Sequence, residues 1–124
     1  MKKNILWASL CALVLVGCAT SSSYINYTQE RFAPKDRYYA ENVYPDSQAL
    51  AATNPYYVIG KVAVEGFASN GVSPQSLTSQ AKVIARKRGA DAIINARTVA
   101  YHYYGDELFR FKGELIVYAP AVSK

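Results

Sequence analysis

Alternation of apolar and polar side chains is most regular near the C-terminal end of the chain. Within residues 108–119 the apolar positions alternate with charged or polar ones, and they are Phe109, Phe111, Leu115 and Val117. This period of two predicts a strand with one buried face. Residues 92–104 predict a second strand, and residues 104–107 predict the turn of a β-hairpin that joins the two.

A strand and a helix precede the hairpin. Residues 56–67 place valines on one side and charged residues on the other, which predicts a strand. In the helix that follows, Ser73 is a suitable N-cap, Pro74 suits the first turn, and Gly89 is where a C-cap glycine belongs. Its apolar stripe has helical spacing and consists of Leu77, Ala81, Ile84 and Ala85.

These elements predict one α+β domain over residues 43–124. The predicted order is strand, helix, strand, strand, with the single helix packed on one face of a sheet of three or four mainly antiparallel strands. A short edge strand at residues 42–44 would be the fourth. Residues 18–42 are polar and tyrosine-rich without a sustained period, which predicts a flexible tether before the domain.

The predicted sheet has one face that no helix covers. Mixed charge is ordinary on the solvent side of an antiparallel sheet, so a plain exposed surface is one interpretation. Arginine and tyrosine are enriched at protein interfaces, and we favour an interaction face. The residues predicted to form it are Lys61, Arg97, Tyr101, Tyr103, Arg110 and Lys112.

The N-terminal residues have the order of a secretory signal peptide. Lys2 and Lys3 precede an apolar run over residues 5–16, which is shorter than the roughly 20 residues that span a bilayer. A plain signal peptide would end in an A-x-A-like site, and this segment offers only poor versions. The run instead ends in a motif that resembles the lipobox of bacterial lipoprotein precursors, Leu15, Val16, Gly17 and Cys18.

This resemblance implies that residues 1–17 are removed and that Cys18 becomes lipidated. A diacylglyceryl thioether on its sulfur and an amide-linked acyl chain on its amine would form an anchor, since two or more chains hold stably to a membrane. Ala19 follows in place of the aspartate that retains such proteins at the inner membrane of enteric bacteria. We therefore expect the outer membrane, with the domain facing the periplasm. The alternative role for Cys18 is a structural thiol.

Composition narrows the function further. The formal net charge is +5, of which Lys2 and Lys3 contribute two, and so mild an excess does not indicate nucleic-acid binding but tolerates an anionic lipid surface. The chain has two cysteines, Cys11 and Cys18, so cleavage before Cys18 leaves no disulfide partner. Eleven tyrosines fit either an interface or strands.

Two stretches resemble the YbjQ/RcsF-like family of small α+β domains, residues 57–62 (YVIGKV) and residues 87–94 (KRGADAII). The resemblance extends over residues 56–119 and implies the fold, with Gly89 ending the helix and Asp91 bonding backbone amides in the turn. Members include an outer-membrane lipoprotein and ring-forming cytoplasmic proteins, and other small lipoproteins of this shape are accessory parts of envelope machines. Some are described as heavy-metal-binding, but His102 is the only histidine here and a metal site needs several ligands.

No catalytic set is evident in the sequence, which lacks a nucleophile elbow and a glycine-rich phosphate loop. We therefore expect no enzyme activity and no cofactor beyond the lipid on Cys18. The predicted function is an interaction or structural module of an envelope assembly, for example a secretion-system accessory subunit, with an envelope protein or further copies of itself as partner. The alternative is an envelope sensor or ligand-binding lipoprotein whose cationic helix end and tyrosine-rich hairpin engage an anionic polymer or signalling partner.

Overall fold

The computed structural model describes residues 20–46 and 55–119. One helix packs on a mixed sheet, so the predicted α+β class is confirmed. A short 3-10 helix, Ala68–Asn70, leads towards the helix α1, which spans Pro74–Lys87. The strands are β1 (Thr20–Asn26), β2 (Asn42–Val43), β3 (Tyr56–Phe67), β4 (Ala92–Tyr103) and β5 (Asp106–Tyr118).

The strands lie in the order β1-β3-β5-β4-β2. All neighbouring pairs are antiparallel except β2 and β4, which pair in parallel over two residues. The β4–β5 hairpin turns at Tyr104 and Gly105, whose φ angles are 47° and 84°. Such left-handed values are typical of a tight hairpin turn. The sheet therefore has β1 at one edge and β2 at the other.

α1 begins and ends at the residues that the sequence predicts. The Ser73 hydroxyl accepts a hydrogen bond from the Ser76 N–H at 3.1 Å, and the Ser76 hydroxyl accepts one from the Ser73 N–H at 2.9 Å. This capping box satisfies two amides at the helix start, and Pro74 follows where an N–H is not needed. Beyond the last turn Gly89 has a φ of 77°, the left-handed conformation that ends many helices.

The core lies between α1 and one face of the sheet. Leu77, Ala81 and Ala85 of the helix are fully buried there. They pack against strand residues that include Val62, Val64, Ile93, Phe111 and Leu115. Burial of a large aliphatic side chain contributes about 1.5–3 kcal/mol, so this cluster is the main source of stability.

The sheet has five strands instead of the three or four predicted, because part of the predicted tether belongs to it. Thr20–Asn26 forms β1, which pairs with β3. The sequence pattern did not reveal β1 because Ser21, Ser22 and Ser23 have little strand preference and only Tyr24 reaches the core. The predicted signal peptide and the lipobox with Cys18 lie outside the described residues.

Residues 27–46, here termed the strap, cross the C-terminal end of α1. The Lys35 N–H donates a hydrogen bond to the Arg86 carbonyl at 2.8 Å, and the Lys35 ammonium lies 2.6 Å from the Asp91 carboxylate. The Tyr39 hydroxyl donates a hydrogen bond to the Asp91 carbonyl at 3.1 Å. The strap is therefore fastened both to the helix end and to the turn before β4.

Alanine substitutions at Gly89 and Gly105 can be compared to measure how closely the strap packs against the end of α1. Both have positive φ, so alanine at either position costs roughly 1 kcal/mol through the backbone alone. A Cβ on Gly89 would also lie 2.5 Å from the Ala33 carbonyl oxygen and 2.7 Å from Phe32 Cβ, whereas one on Gly105 meets nothing within 4 Å. In urea unfolding we expect Gly89→Ala to destabilise by about 2 kcal/mol more than Gly105→Ala. Equal losses would contradict close packing of the strap.

Candidate functional site

The side of the sheet away from α1 carries all six residues predicted for interaction, and we term it the open face. The strand register shows this placement. Arg97 lies opposite Lys112, which faces the same side of the sheet as Glu114, and Glu65 lies opposite Arg110. Residues of the helix-facing core occupy the alternate positions of the same strands. The six residues on the open face are Lys61, Arg97, Tyr101, Tyr103, Arg110 and Lys112.

The centre of the open face is cationic and surrounds a shallow cavity of about 270 Å³. The side chains around this cavity are Tyr27, Lys61, Asn95, Arg97, Lys112 and Glu114. The Glu114 carboxylate accepts a hydrogen bond from the Asn95 amide at 2.6 Å. Within residues 20–46 and 55–119, none of the three cations forms an ion pair. Three neighbouring cations are therefore available to an anionic group from outside.

Towards the β4–β5 turn the open face becomes aromatic. The Arg110 guanidinium lies 3.4 Å from the Glu65 carboxylate and 5.3 Å from the centre of the Tyr101 ring. Tyr103 meets Phe67 edge to face, with ring centres 6.1 Å apart and an interplanar angle of 77°. Arg110 is thus engaged inside the domain, unlike the three central cations. The predicted set therefore consists of three central cations and, nearer the β4–β5 turn, the paired Arg110 with Tyr101 and Tyr103.

A second, smaller apolar cluster covers the opposite end of the open face. Ala92, Ile94 and Ile116 are buried there. The partly buried residues packed on them are Tyr44, Tyr56, Val58 and Tyr118, and burial raises the pKa of the Tyr118 hydroxyl. This cluster was not predicted from the sequence, although two isoleucines at positions that face away from α1 were a signal for it.

β1 extends the open face beyond the predicted domain. Ile25 and Tyr27 are 58% and 52% exposed, and Ile25 lies opposite Lys61 in the register. Sequence reasoning missed both because it assigned them to a tether. An exposed isoleucine beside an exposed tyrosine adds apolar contact area next to the cationic centre.

A second candidate surface lies where the strap meets the end of α1. Two cavities of about 630 and 690 Å³ both include Phe32 and Ile59 in their walls. Three cations line the first of them, namely Arg31, Lys87 and Arg88. The Arg88 guanidinium lies 4.3 Å from the centre of the Tyr24 ring, and burial raises the pKa of that tyrosine. The cationic helix end of the sequence analysis is therefore part of a concave surface.

Glu41 is a buried acid in the strap. Its side chain is 3% exposed, and both carboxylate oxygens lack a hydrogen-bond partner among the described residues. Burial raises its pKa to about 7, although the nearby Arg86 and Lys35 act in the opposite direction. Removing a carboxylate from water disfavours its charged form. Glu41 therefore makes the stability of the protein depend on pH between about 4.5 and 7.

Other candidate groups have structural roles or stand apart. The Ser69 N–H and hydroxyl donate hydrogen bonds to the Asp106 carboxylate, and these hold the pKa of that acid below its usual value. Asp106 therefore ties the hairpin to the 3-10 helix. His102 is exposed on β4, and the described residues contain no cluster of histidine, cysteine and acidic side chains fit to hold a metal ion. Within the same residues, every helix is too short or too polar to cross a membrane.

Comparison with known proteins identifies the fold and no family. No protein-family model matches the chain, and no curated protein sequence matches it. The crystal structure of a Francisella virulence factor, FvfA, in its orthorhombic form is similar, with a TM-score of 0.54 and 17% sequence identity. The alignment covers 77% of this chain and 97% of FvfA. At this identity the likeness shows a shared fold alone.

The raised pKa of Glu41 predicts a stability that falls as pH rises. The folded protein retains the proton on Glu41 up to about pH 7, whereas an unfolded glutamate loses it near 4.5. Stability should therefore decrease between these two pH values, by roughly 3 kcal/mol in total. Glu41→Gln keeps the shape of the side chain but cannot ionise, so its stability should stay flatter over this range. Parallel urea titrations at several pH values measure this, and equal slopes for both proteins would contradict it.

Proposed function

We propose that this chain is a non-catalytic interaction module, lipid-anchored to the periplasmic side of the outer membrane, that binds an envelope protein through its open face. The observation that carries the proposal is the cationic centre of that face. Lys61, Arg97 and Lys112 surround a cavity of about 270 Å³ and have no ion-pair partner in the described part of the chain. The partner surface should present acidic groups beside apolar ones. An accessory subunit of a secretion system is one role of this kind.

The distribution of charge separates this face from an ordinary solvent-exposed sheet surface. Mixed charge alone would be unremarkable. Here Arg110 pairs with Glu65, and Glu114 at the cavity hydrogen-bonds Asn95 and forms no ion pair with the central cations among the described residues, so three positive charges surround one negative charge. Tyr27, more than half exposed, lies at the same cavity. Aromatic rings beside arginine and excess positive charge favour docking of an acidic protein surface.

The anchor is supported by the lipobox-like residues 15–18, with Cys18 as the lipidated residue. A single acyl chain binds a membrane only marginally, whereas two or more hold the protein stably. The covalent lipid is the only non-protein group that this function requires. The position of Ala19 after the cysteine supports the outer membrane as the destination.

A second function is favoured by the cavity at the end of α1. Arg31, Lys87 and Arg88 line its wall, and its volume of about 630 Å³ lies within the range of ligand pockets. A lipoprotein with this site would act as a sensor or ligand-binding protein that engages an anionic envelope polymer. The two functions use different surfaces, so surface variants distinguish them.

The two cysteines of the chain provide a test of the anchor. Cys18→Ser removes the thiol that would carry the thioether, so the protein should lose the mass of the attached lipid and its palmitate labelling. Cys11→Ser is the matched control, because residue 11 lies in the segment predicted to be removed, and its lipid should be unchanged. Intact mass spectrometry of membrane-extracted protein measures both. A wild-type protein with an unmodified Cys18 would overturn the anchor.

Two double charge reversals distinguish the candidate surfaces. Arg97→Glu with Lys112→Glu reverses the cationic centre, and Arg31→Glu with Lys87→Glu makes the same change of charge at the helix-end cavity. All four side chains are exposed, so both proteins should fold. In pull-downs from solubilised envelopes we expect the first variant to bind its protein partner roughly tenfold more weakly, and the second to bind it normally.

The opposite pattern, with glycan-dependent recovery lost only from the helix-end variant, would favour the sensor function. Unchanged partner recovery in both variants would overturn the open face as the binding surface. Unfolding of the first variant would show that Arg97 and Lys112 are needed by the fold. Circular dichroism of both variants accompanies the pull-down for this reason.

A further inference from the structure

The pairing of β1 fixes where the chain enters the sheet. β1 runs antiparallel to β3, with Thr20 opposite Gly66 and Asn26 opposite Gly60. Thr20 therefore lies near the end of the sheet where β3 finishes at Phe67. The chain that precedes β1 must approach from this end, which is also the end of the β4–β5 turn.

This end of the sheet presents a group of exposed aromatic rings, here termed the aromatic end. Three of them lie on the open face, and the fourth is in the hairpin turn. Their exposed fractions are 36% for Phe67, 37% for Tyr101, 47% for Tyr103 and complete exposure for Tyr104. The far end of the sheet is different, because there the strap and the second apolar cluster cover the strands.

Chain length keeps Cys18 within a short distance of this end of the sheet. Thr20 is the second residue after Cys18, so their Cα atoms lie at most about 7 Å apart. Thr20 and Gly66 lie level with Phe109 of β5. The pair Tyr103–Asp106 lies three residues farther along the strands towards the β4–β5 turn, which is about 10 Å. The aromatic end therefore extends along the strand axis at least as far as Cys18 can reach.

We propose that the aromatic end rests in the headgroup region of the membrane in which Cys18 is anchored. The inference depends on the proposed acylation of Cys18. Acyl chains on Cys18 must enter the bilayer, and the single residue between Cys18 and β1 is too short to hold the domain away from it. Tyrosine suits this region because its ring is apolar and its hydroxyl remains hydrated. The strands then run along the membrane normal, and the open face stays accessible from the side.

The charges near the aromatic end indicate which force holds it there. Its charged neighbours are the acids Asp106 and Glu107 together with Arg110, which pairs with Glu65, and the central cations lie farther along the strands. Attraction to anionic lipids would need an excess of cations at this end. Contact should therefore come from the aromatic rings together with the lipid anchor, and a zwitterionic phospholipid should be sufficient.

Tryptophan fluorescence in the acylated mature protein, which begins at Cys18, tests this orientation. The native Trp7 lies in the segment that is removed by cleavage before Cys18, so a Tyr104→Trp protein carries one reporter at the aromatic end. Tyr57→Trp is the matched control, because Tyr57 is 61% exposed and lies opposite Val117 at the far end of the sheet. In phosphatidylcholine vesicles with brominated acyl chains we expect Tyr104→Trp to lose roughly half of its emission and Tyr57→Trp less than about a tenth.

Intact mass spectrometry of the same samples separates this inference from the anchor. If Cys18 is acylated and both variants are quenched equally, or neither is quenched, the orientation is overturned while the anchor stands. If Cys18 is not acylated, both are overturned. Selective quenching of Tyr104→Trp that does not increase with added anionic lipid supports the orientation and its aromatic basis.

Discussion

Close contact between α1 and the sheet is the interaction on which the rest of the structure depends. Ala81 and Ala85 are fully buried, and their small side chains let the helix lie near the large residues of β3 and β5, with Leu77 packed beside them. The helix packs mainly on β3 and β5 and is about 10–12 Å wide with its side chains, whereas five strands extend about 19 Å across the sheet, so one helix is too narrow to cover them. The strap completes the cover on the helix side. The other face keeps an exposed centre as a consequence.

The partners of the charged groups differ between the helix side and the open face. On the helix side Asp91 is satisfied twice, by the Lys35 ammonium at 2.6 Å and by the Tyr118 N–H at 2.7 Å. The latter bond joins the turn before β4 to the end of β5, so the acid serves the sheet and not the turn that the family resemblance implied. On the open face the acids are engaged and three cations remain. Cations without an ion-pair partner among the described residues therefore lie at the centre of the open face and at the cavity beside the end of α1.

Features set by local chemistry could be predicted from the sequence, and features set by tertiary packing could not. The bounds of α1 follow from Ser73 and Gly89, and alternation placed the charged strand residues on one face. β1 has no such pattern, because its serines owe their place to backbone pairing with β3 and to the docking of Tyr24. The cluster at Ile94 and Ile116 likewise depends on which residues the folded chain brings over them. Whether a given cation has an ion-pair partner also depends on tertiary packing, so the sequence could not predict it.

The direction of β1 also determines how the domain resists mechanical load. The chain enters the sheet at Thr20 and runs antiparallel to β3 for seven residues. Interstrand hydrogen bonds lie perpendicular to antiparallel strands, so tension on the preceding chain along the strand axis loads this ladder in shear. The bonds then share the force, whereas peeling the strand sideways would break them one after another. If the domain is held through the chain that precedes Thr20 and pulled along the strand axis, all the hydrogen bonds between β1 and β3 resist the tension together.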